Sequence, residues 1–255
     1  MSITQAILNA RANSPFLGQL IERQPDIVAR IETGDFEGAL AAALSITLDD
    51  DTAATLRKRR QGVALVTAIA DLAGAWDLTR VTRILSDFAD DALETAIVAA
   101  FAERVPDAPV QGFAVIGLGK HGGQELNYSS DIDPIFLYDP ETLPKRERED
   151  VADSAVRIGR KIIELRGARD ENGYVLRVDM RLRPNGDSGP LVCSFDMLEN
   201  YFVTQGREWE RYAWIKSRVM NTGPNADGAS LGDWMAALRR ISRPFVFRKY
   251  LDFGA

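Results

Sequence analysis

Asp131 and Asp133 stand two residues apart in SSDIDPIFLY, and Asp179 stands inside YVLRVDMRL. Both segments have the β-branched and aromatic texture of strands, with Ile132–Tyr138 and Tyr174–Leu182 as the expected limits. Alternation along a strand turns Asp131 and Asp133 to one face, close enough to share a divalent cation. In the second segment Tyr174, Leu176, Val178, Met180 and Leu182 take one face, leaving Asp179 on the polar face with Arg177 and Arg181. If the two strands are neighbours, three carboxylates converge, and such a cluster repels itself unless metal occupies it. Two Mg²⁺ ions roughly 3.5–4 Å apart, clamping an attacking and a leaving oxygen, are the chemistry this geometry suits. Spacing alone leaves another reading open: two turn aspartates, and one strand aspartate paired with its flanking arginines.

Groups fit for phosphate surround these acids. The GLGKHGG of residues 117–123 offers backbone amides, that of Gly119 among them, with Lys120 as a point charge. Ser129 and Ser130 directly precede Asp131 and have hydroxyls to donate to a phosphoryl oxygen. Arg181 shares the face of Asp179, and Arg183 extends it into the next loop; arginine forks suit phosphate. The glycines also satisfy G-x-G-x-x-G, but QELNYSSD is too short to hold the helix a dinucleotide-binding fold needs before its next strand. Lys120 is followed by His121 rather than Ser or Thr, so no P-loop is present.

The elements that must position these groups change character along the chain. Residues 1–105 read as helical throughout, with Val63, Val66, Ile69, Ala70, Ala73 and Trp76 forming one apolar face and Val81 to Ile97 a second. Asp49–Thr52 should open one helix, and Asp77 or Thr79 the next. The basic run Arg57–Arg60 reads as a solvated helix face paired with nearby acids. Pro106–Pro109 breaks the pattern as a linker. A strand at 113–116, the glycine turn, the two acid-bearing strands, and helices at about 148–165, 195–205 and 208–220 follow, the second capped by Ser194 and stopped by Gly206. The fold class is therefore α+β, a helical region over 1–105 followed by a mixed α and β region over 106–255.

Composition narrows the chemistry. Of 255 residues, 45% are apolar and 27% charged, the make-up of a globular chain rather than a disordered one. The net charge of −6 gives no global attraction to nucleic acid or an anionic membrane. One histidine, His121, and one cysteine, Cys193, cannot build a zinc site of three or four such ligands. The lone cysteine, the absence of a long apolar run and the lack of a signal pattern suit a cytoplasmic protein.

Three blocks in order, GLGKHGGQELNYSSDIDPIF at 117–136, RVDMRLRPNGDSGPLV at 177–192 and QGREWERYAWIKSRVM at 205–220, closely resemble the glutamine synthetase adenylyltransferase/deadenylylase family. The resemblance covers about residues 55–255 and implies a nucleotidyltransferase domain of the DNA-polymerase-β type, a mixed sheet with flanking helices. Family members carry two such domains, and the wording of the second and third blocks is similar to the N-terminal, AMP-removing half. That half cleaves AMP from a tyrosine of adenylylated glutamine synthetase by phosphorolysis, releasing ADP. The resemblance implies Mg²⁺ held by Asp131, Asp133 and Asp179, contacts to phosphate, ADP or ATP near Lys120, Ser130 and Arg181, and regulation through the PII protein in longer members. Family members continue beyond YLDFGA, so the chain reads as a fragment. Pro134 and Asn185 depart from the residues expected at those positions. The opposite reaction, AMP transfer from ATP, uses the same acids, and a non-catalytic module docking glutamine synthetase or nucleotide is the reading from another class.

Overall fold

A computed structural model describes residues 1–48, 51–167, 173–220 and 228–247. They form two compact units: one of residues 1–89, 124–130 and 168–175, the other of residues 90–123, 131–167 and 176–255.

The first unit is helical. Its elements are α1 (Ile3–Asn13), α2 (Pro15–Arg23), α3 (Pro25–Glu32), α4 (Phe36–Leu44), α5 (Thr52–Ala73) and the opening half of α6 (Leu78–Arg104). Short polar side chains start the helices: Asp35 accepts from Gly38 N–H, Asp51 from Ala54 N–H and Asp77 from Arg80 N–H, each at 2.8 Å. Asp49 and Asp50 lie outside the described residues. Gly74 ends α5 at φ 72°, a left-handed cap that suits glycine. Val63, Val66, Ile69 and Ala70 are buried as their spacing requires. The basic run departs from expectation, because it is not an open solvated face: Arg57 is buried and the other three are half-buried. Arg59 donates to Ile46 O at 2.8 Å, and the Arg60 guanidinium lies 4.4 Å from the centre of the Tyr174 ring. Long basic stems cover apolar surface while their heads find carbonyls and rings.

The second unit is built on a four-stranded mixed sheet. Along the chain come β1 (Phe113–Gly117), α7 (Gly119–Gly122), β2 (Pro134–Tyr138), α8 (Val151–Gly167), β3 (Val192–Ser194), α9 (Phe195–Thr204), α10 (Glu208–Ile215), β4 (Arg218–Val219) and α11 (Gly228–Val246). The strand order is β3-β2-β1-β4, with β1 antiparallel to β2 and β4, and β2 parallel to β3. An antiparallel β1–β2 pair joined through a four-residue helix rules out the dinucleotide-binding reading of the glycines. Both central strands are buried at every position because helices cover both faces. Ala114, Ile116, Ile135 and Leu137 face Leu198, Phe202, Trp214, Ile241 and Phe245. On the other face Phe113 packs against Phe101 and Phe136, with ring centres 6.3 and 5.7 Å apart. Ser194 caps α9 and Gly206 closes it, as read from the sequence.

Two expected elements change. Tyr174–Leu182 is not a strand; what remains is one parallel bridge, Ile132 to Val178. Ile132 N–H donates to Arg177 O at 3.0 Å and Asp179 N–H to Ile132 O at 2.9 Å. The next rung would need an N–H at residue 134, which is proline, and Ser130 N–H already donates to Asn127 O at 3.2 Å. The ladder therefore stops on both sides, and β2 begins at Pro134. The helix expected to Met220 ends at Ile215, because Arg218 and Val219 pair with β1 and Met220 N–H reaches Val115 O at 2.8 Å. No helix among the described residues is long and apolar enough to cross a membrane.

Candidate active site

The single bridge is enough to organise the acids. In a parallel pair, residues in register share a face, so with Ile132 opposite Val178 their neighbours pair as Asp131 with Arg177 and Asp133 with Asp179 on the opposite face. Asp131 and Arg177 form an ion pair. Asp179 accepts from Arg181 N–H at 2.9 Å and from Arg181 Nε at 2.9 and 2.8 Å. These bonds outweigh its burial and hold the Asp179 carboxyl below the usual carboxylate range. Asp133 goes the other way. Burial, then the charges of Asp179 and Asp131, push its pKa up against a partial offset from Arg181.

The glycine turn meets the same point. Leu118 N–H donates to Asp133 O at 3.3 Å, and a Cβ built on Gly119, whose φ is 54°, would lie 4.0 Å from Asp133 Oδ2. The turn is closely packed on its far side: a Cβ on Gly122 would stand 1.9 Å from Lys216 O and 2.5 Å from Gly117 O. Lys120 is exposed on α7. Arg183 serves its own loop, donating to Met180 O at 2.8 Å and pairing with Asp187 at 3.4 Å. In that loop Asn185 takes a left-handed φ of 62°, which asparagine tolerates better than most residues. Ser129 and Ser130 belong to the first unit, where Ser130 Oγ donates to Asn127 Oδ1 at 2.8 Å and accepts from Asn127 N–H at 3.1 Å. His121 is a buried residue of α7, with Nε2 2.7 Å from Asp90 Oδ1. Sequence reasoning missed Asp90, whose neighbours along α6 give no sign of a partner 31 residues away.

The donor set suits a hard cation, since carboxylate oxygens on one face with mutually unfavourable charge are what Mg²⁺ compensates. As placed, Asp131 and Asp179 are each turned onto an arginine, and among the described residues no three His, Cys, Asp or Glu side chains already form a metal cage. For these acids to hold a cation, Arg177 and Arg181 would have to give up carboxylate oxygens.

A mixed sheet flanked by helices, with acids entering β2 beside a glycine turn, defines an α+β nucleotidyltransferase-like fold. A family model described as glutamate-ammonia ligase adenylyltransferase matches residues 4–232, and the chain belongs to that family. Relatives named bifunctional glutamine synthetase adenylyltransferase/adenylyl-removing enzyme are 42% identical in Aromatoleum aromaticum (99% of this chain, 28% of the relative) and 41% in Burkholderia mallei (94% and 28%). The one in Ralstonia nicotianae is 47% identical over 78% of this chain and 22% of its own length. The chain thus spans under a third of these curated relatives.

Proposed function

We propose that this chain carries a Mg²⁺-dependent nucleotidyltransferase site that removes AMP from the adenylylated tyrosine of glutamine synthetase by phosphorolysis. The observation that carries the proposal is the pairing of Asp133 with Asp179, and of Asp131 beside them, on one face of the Ile132–Val178 bridge next to the Gly119 turn. Asp131, Asp133 and Asp179 would hold the metal, which when bound neutralises charge developing on the transferred phosphoryl oxygens and the leaving tyrosyl oxygen. Lys120 and Arg181 supply cations for incoming phosphate and the AMP phosphoryl group. Phosphate oxygen bonds to phosphorus as the bond to the tyrosyl oxygen breaks, giving ADP and unmodified tyrosine. The chain's own work is positioning and charge compensation, which dominate such transfers.

The direction rests on the resemblance of residues 177–192 and 205–220 to the AMP-removing half. The relatives' names carry both activities, so the test must separate them. The chain is incubated with Mg²⁺ and adenylylated synthetase, with and without phosphate, and in parallel with unmodified synthetase and α-labelled ATP. Phosphate-dependent ADP is the expected result. Labelled AMP on the synthetase without ADP release reverses the direction, and neither product removes the catalytic reading.

A further inference from the structure

Helix α7 has four residues, too few to hold its own shape, yet it sets the turn beside Asp133. What holds it is a polar cluster in the second unit that the proposed chemistry does not use. The Asp90 carboxylate, on α6, accepts from His121 Nε2 at 2.7 Å through Oδ1. It also accepts a two-pronged contact from Arg218 on β4, Nη1 to Oδ2 at 2.8 Å and Nη2 to Oδ1 at 3.2 Å. The same guanidinium reaches the carbonyls of Gly122 and His121, both at 3.3 Å. One acid therefore ties α6, β4 and α7 together at the end of α7 opposite Gly119.

We propose that Asp90 is a positioning residue, which by gripping His121 and Arg218 fixes the glycine turn against Asp133. It acts through α7, whose entry is hydrogen-bonded to the Asp133 carbonyl by Leu118 N–H at 3.3 Å. The proposal rests on the reading of Asp133 as a site residue. A carboxylate is required because the guanidiniums of Arg218 and Arg166 both bear on it, beside a His121 ring that burial pushes toward its neutral form. His121 and Arg166 are buried, Arg218 is half-buried, and Asp90 is the acid whose charge acts on His121 and Arg166. Among the described residues the Arg166 guanidinium has no hydrogen-bond partner, and the charge of Asp90 acts against the cost of burying it. Asparagine keeps an acceptor for Arg218 but removes the charge, and glutamine at 121 keeps an N–H donor without the ring that reaches from α7 to α6.

The test uses the full chain carrying Asp90→Asn and, separately, His121→Gln, assayed well below each melting midpoint. Phosphate-dependent ADP release should lose about tenfold or more in kcat, while KM for adenylylated synthetase stays within about twofold. Mn²⁺ added alone and followed by electron paramagnetic resonance should bind about fivefold or more weakly than to the wild type. A purely structural role would lower the melting temperature yet leave kcat and Mn²⁺ affinity of the folded protein at wild-type values. That result overturns the proposal and leaves the carboxylate site standing. If the wild type neither releases ADP nor transfers AMP, the catalytic reading fails, and Mn²⁺ binding decides the positioning role: weaker binding by the variants supports it, and equal binding, or none by the wild type, overturns it. Should Asp90→Asn fail to fold, His121→Gln decides by the same measurements.

Discussion

Asp133 and Asp179 are neighbours of the same type with opposite electrostatic states, and their stability signatures should differ in sign. The folded pKa of Asp179 lies below its unfolded value because Arg181 binds the ionised form. Its contribution is complete above the unfolded pKa and disappears as pH falls through the lowered folded value. The folded pKa of Asp133 is raised, so the folded protein holds that proton more tightly, and stability is lost as pH rises from the unfolded pKa through the raised value. In metal-free buffer at pH 7, Asp179→Asn should melt lower by about 2 °C. Asp133→Asn should melt no lower than the wild type. Calorimetry of both variants reads this directly, and a matching loss in both would contradict the assignment of charge. The acids themselves were legible in the sequence, because alternation and an aspartate amid apolar residues mark them. The pairing of Asp179 with its flanking Arg181 was one of the readings the spacing left open, whereas the Asp131–Arg177 pair and Asp90 were not legible, since 46 residues separate Asp131 from Arg177 and only the fold brings them together.

Among the elements, the glycine turn carries the sharpest constraint. Gly122→Ala puts a methyl against the Lys216 and Gly117 carbonyls, which are backbone and can yield only by moving β1, α7 or the end of α10. The expected cost is about 2–4 kcal/mol in urea unfolding. Gly232→Ala, where nothing lies within 4 Å, should gain about 0.5–1 kcal/mol within α11. Equal effects would show that the turn is not tightly held. The helix starts expected at 49–52, at Asp77 or Thr79 and at Ser194 are capped by Asp51, Asp77 and Ser194, while the equally capped starts at Ser2, Ser14 and Asp35 were not singled out. The end of α10 and the shortened Tyr174–Leu182 pairing were not, for tertiary reasons: the open edge of β1 captures Arg218 and Val219, and Pro134 removes the donor that would extend the ladder. The helix at 208–215 carries a Glu208–Arg211 ion pair, with Arg211 also donating to Val246 O at 2.8 Å.

At the scale of the molecule, the first unit is not continuous in sequence. Tyr128 lies within hydrogen-bond distance of Asp71, at 3.0 Å, and of Thr67 O, at 3.3 Å, while Tyr174 receives the Arg60 guanidinium. Residues 1–105 expressed alone lack both tyrosines. They should be helical by circular dichroism but melt without a sharp transition, and a cooperative melt would contradict that dependence. In the full chain Tyr128→Phe should lose about 1 kcal/mol in urea unfolding. Periodicity made the helical character of this region legible, but not its completion by segments far along the chain.

The central claim is that the acids beside the glycine turn transfer AMP. The most direct measurement is the rate of phosphate-dependent ADP release from adenylylated glutamine synthetase, by the wild type and by Asp133→Asn prepared together and shown to be folded. The wild type should release ADP only when phosphate is present, and Asp133→Asn should lose about a hundredfold or more. Near-normal release by Asp133→Asn would contradict the assignment of the site.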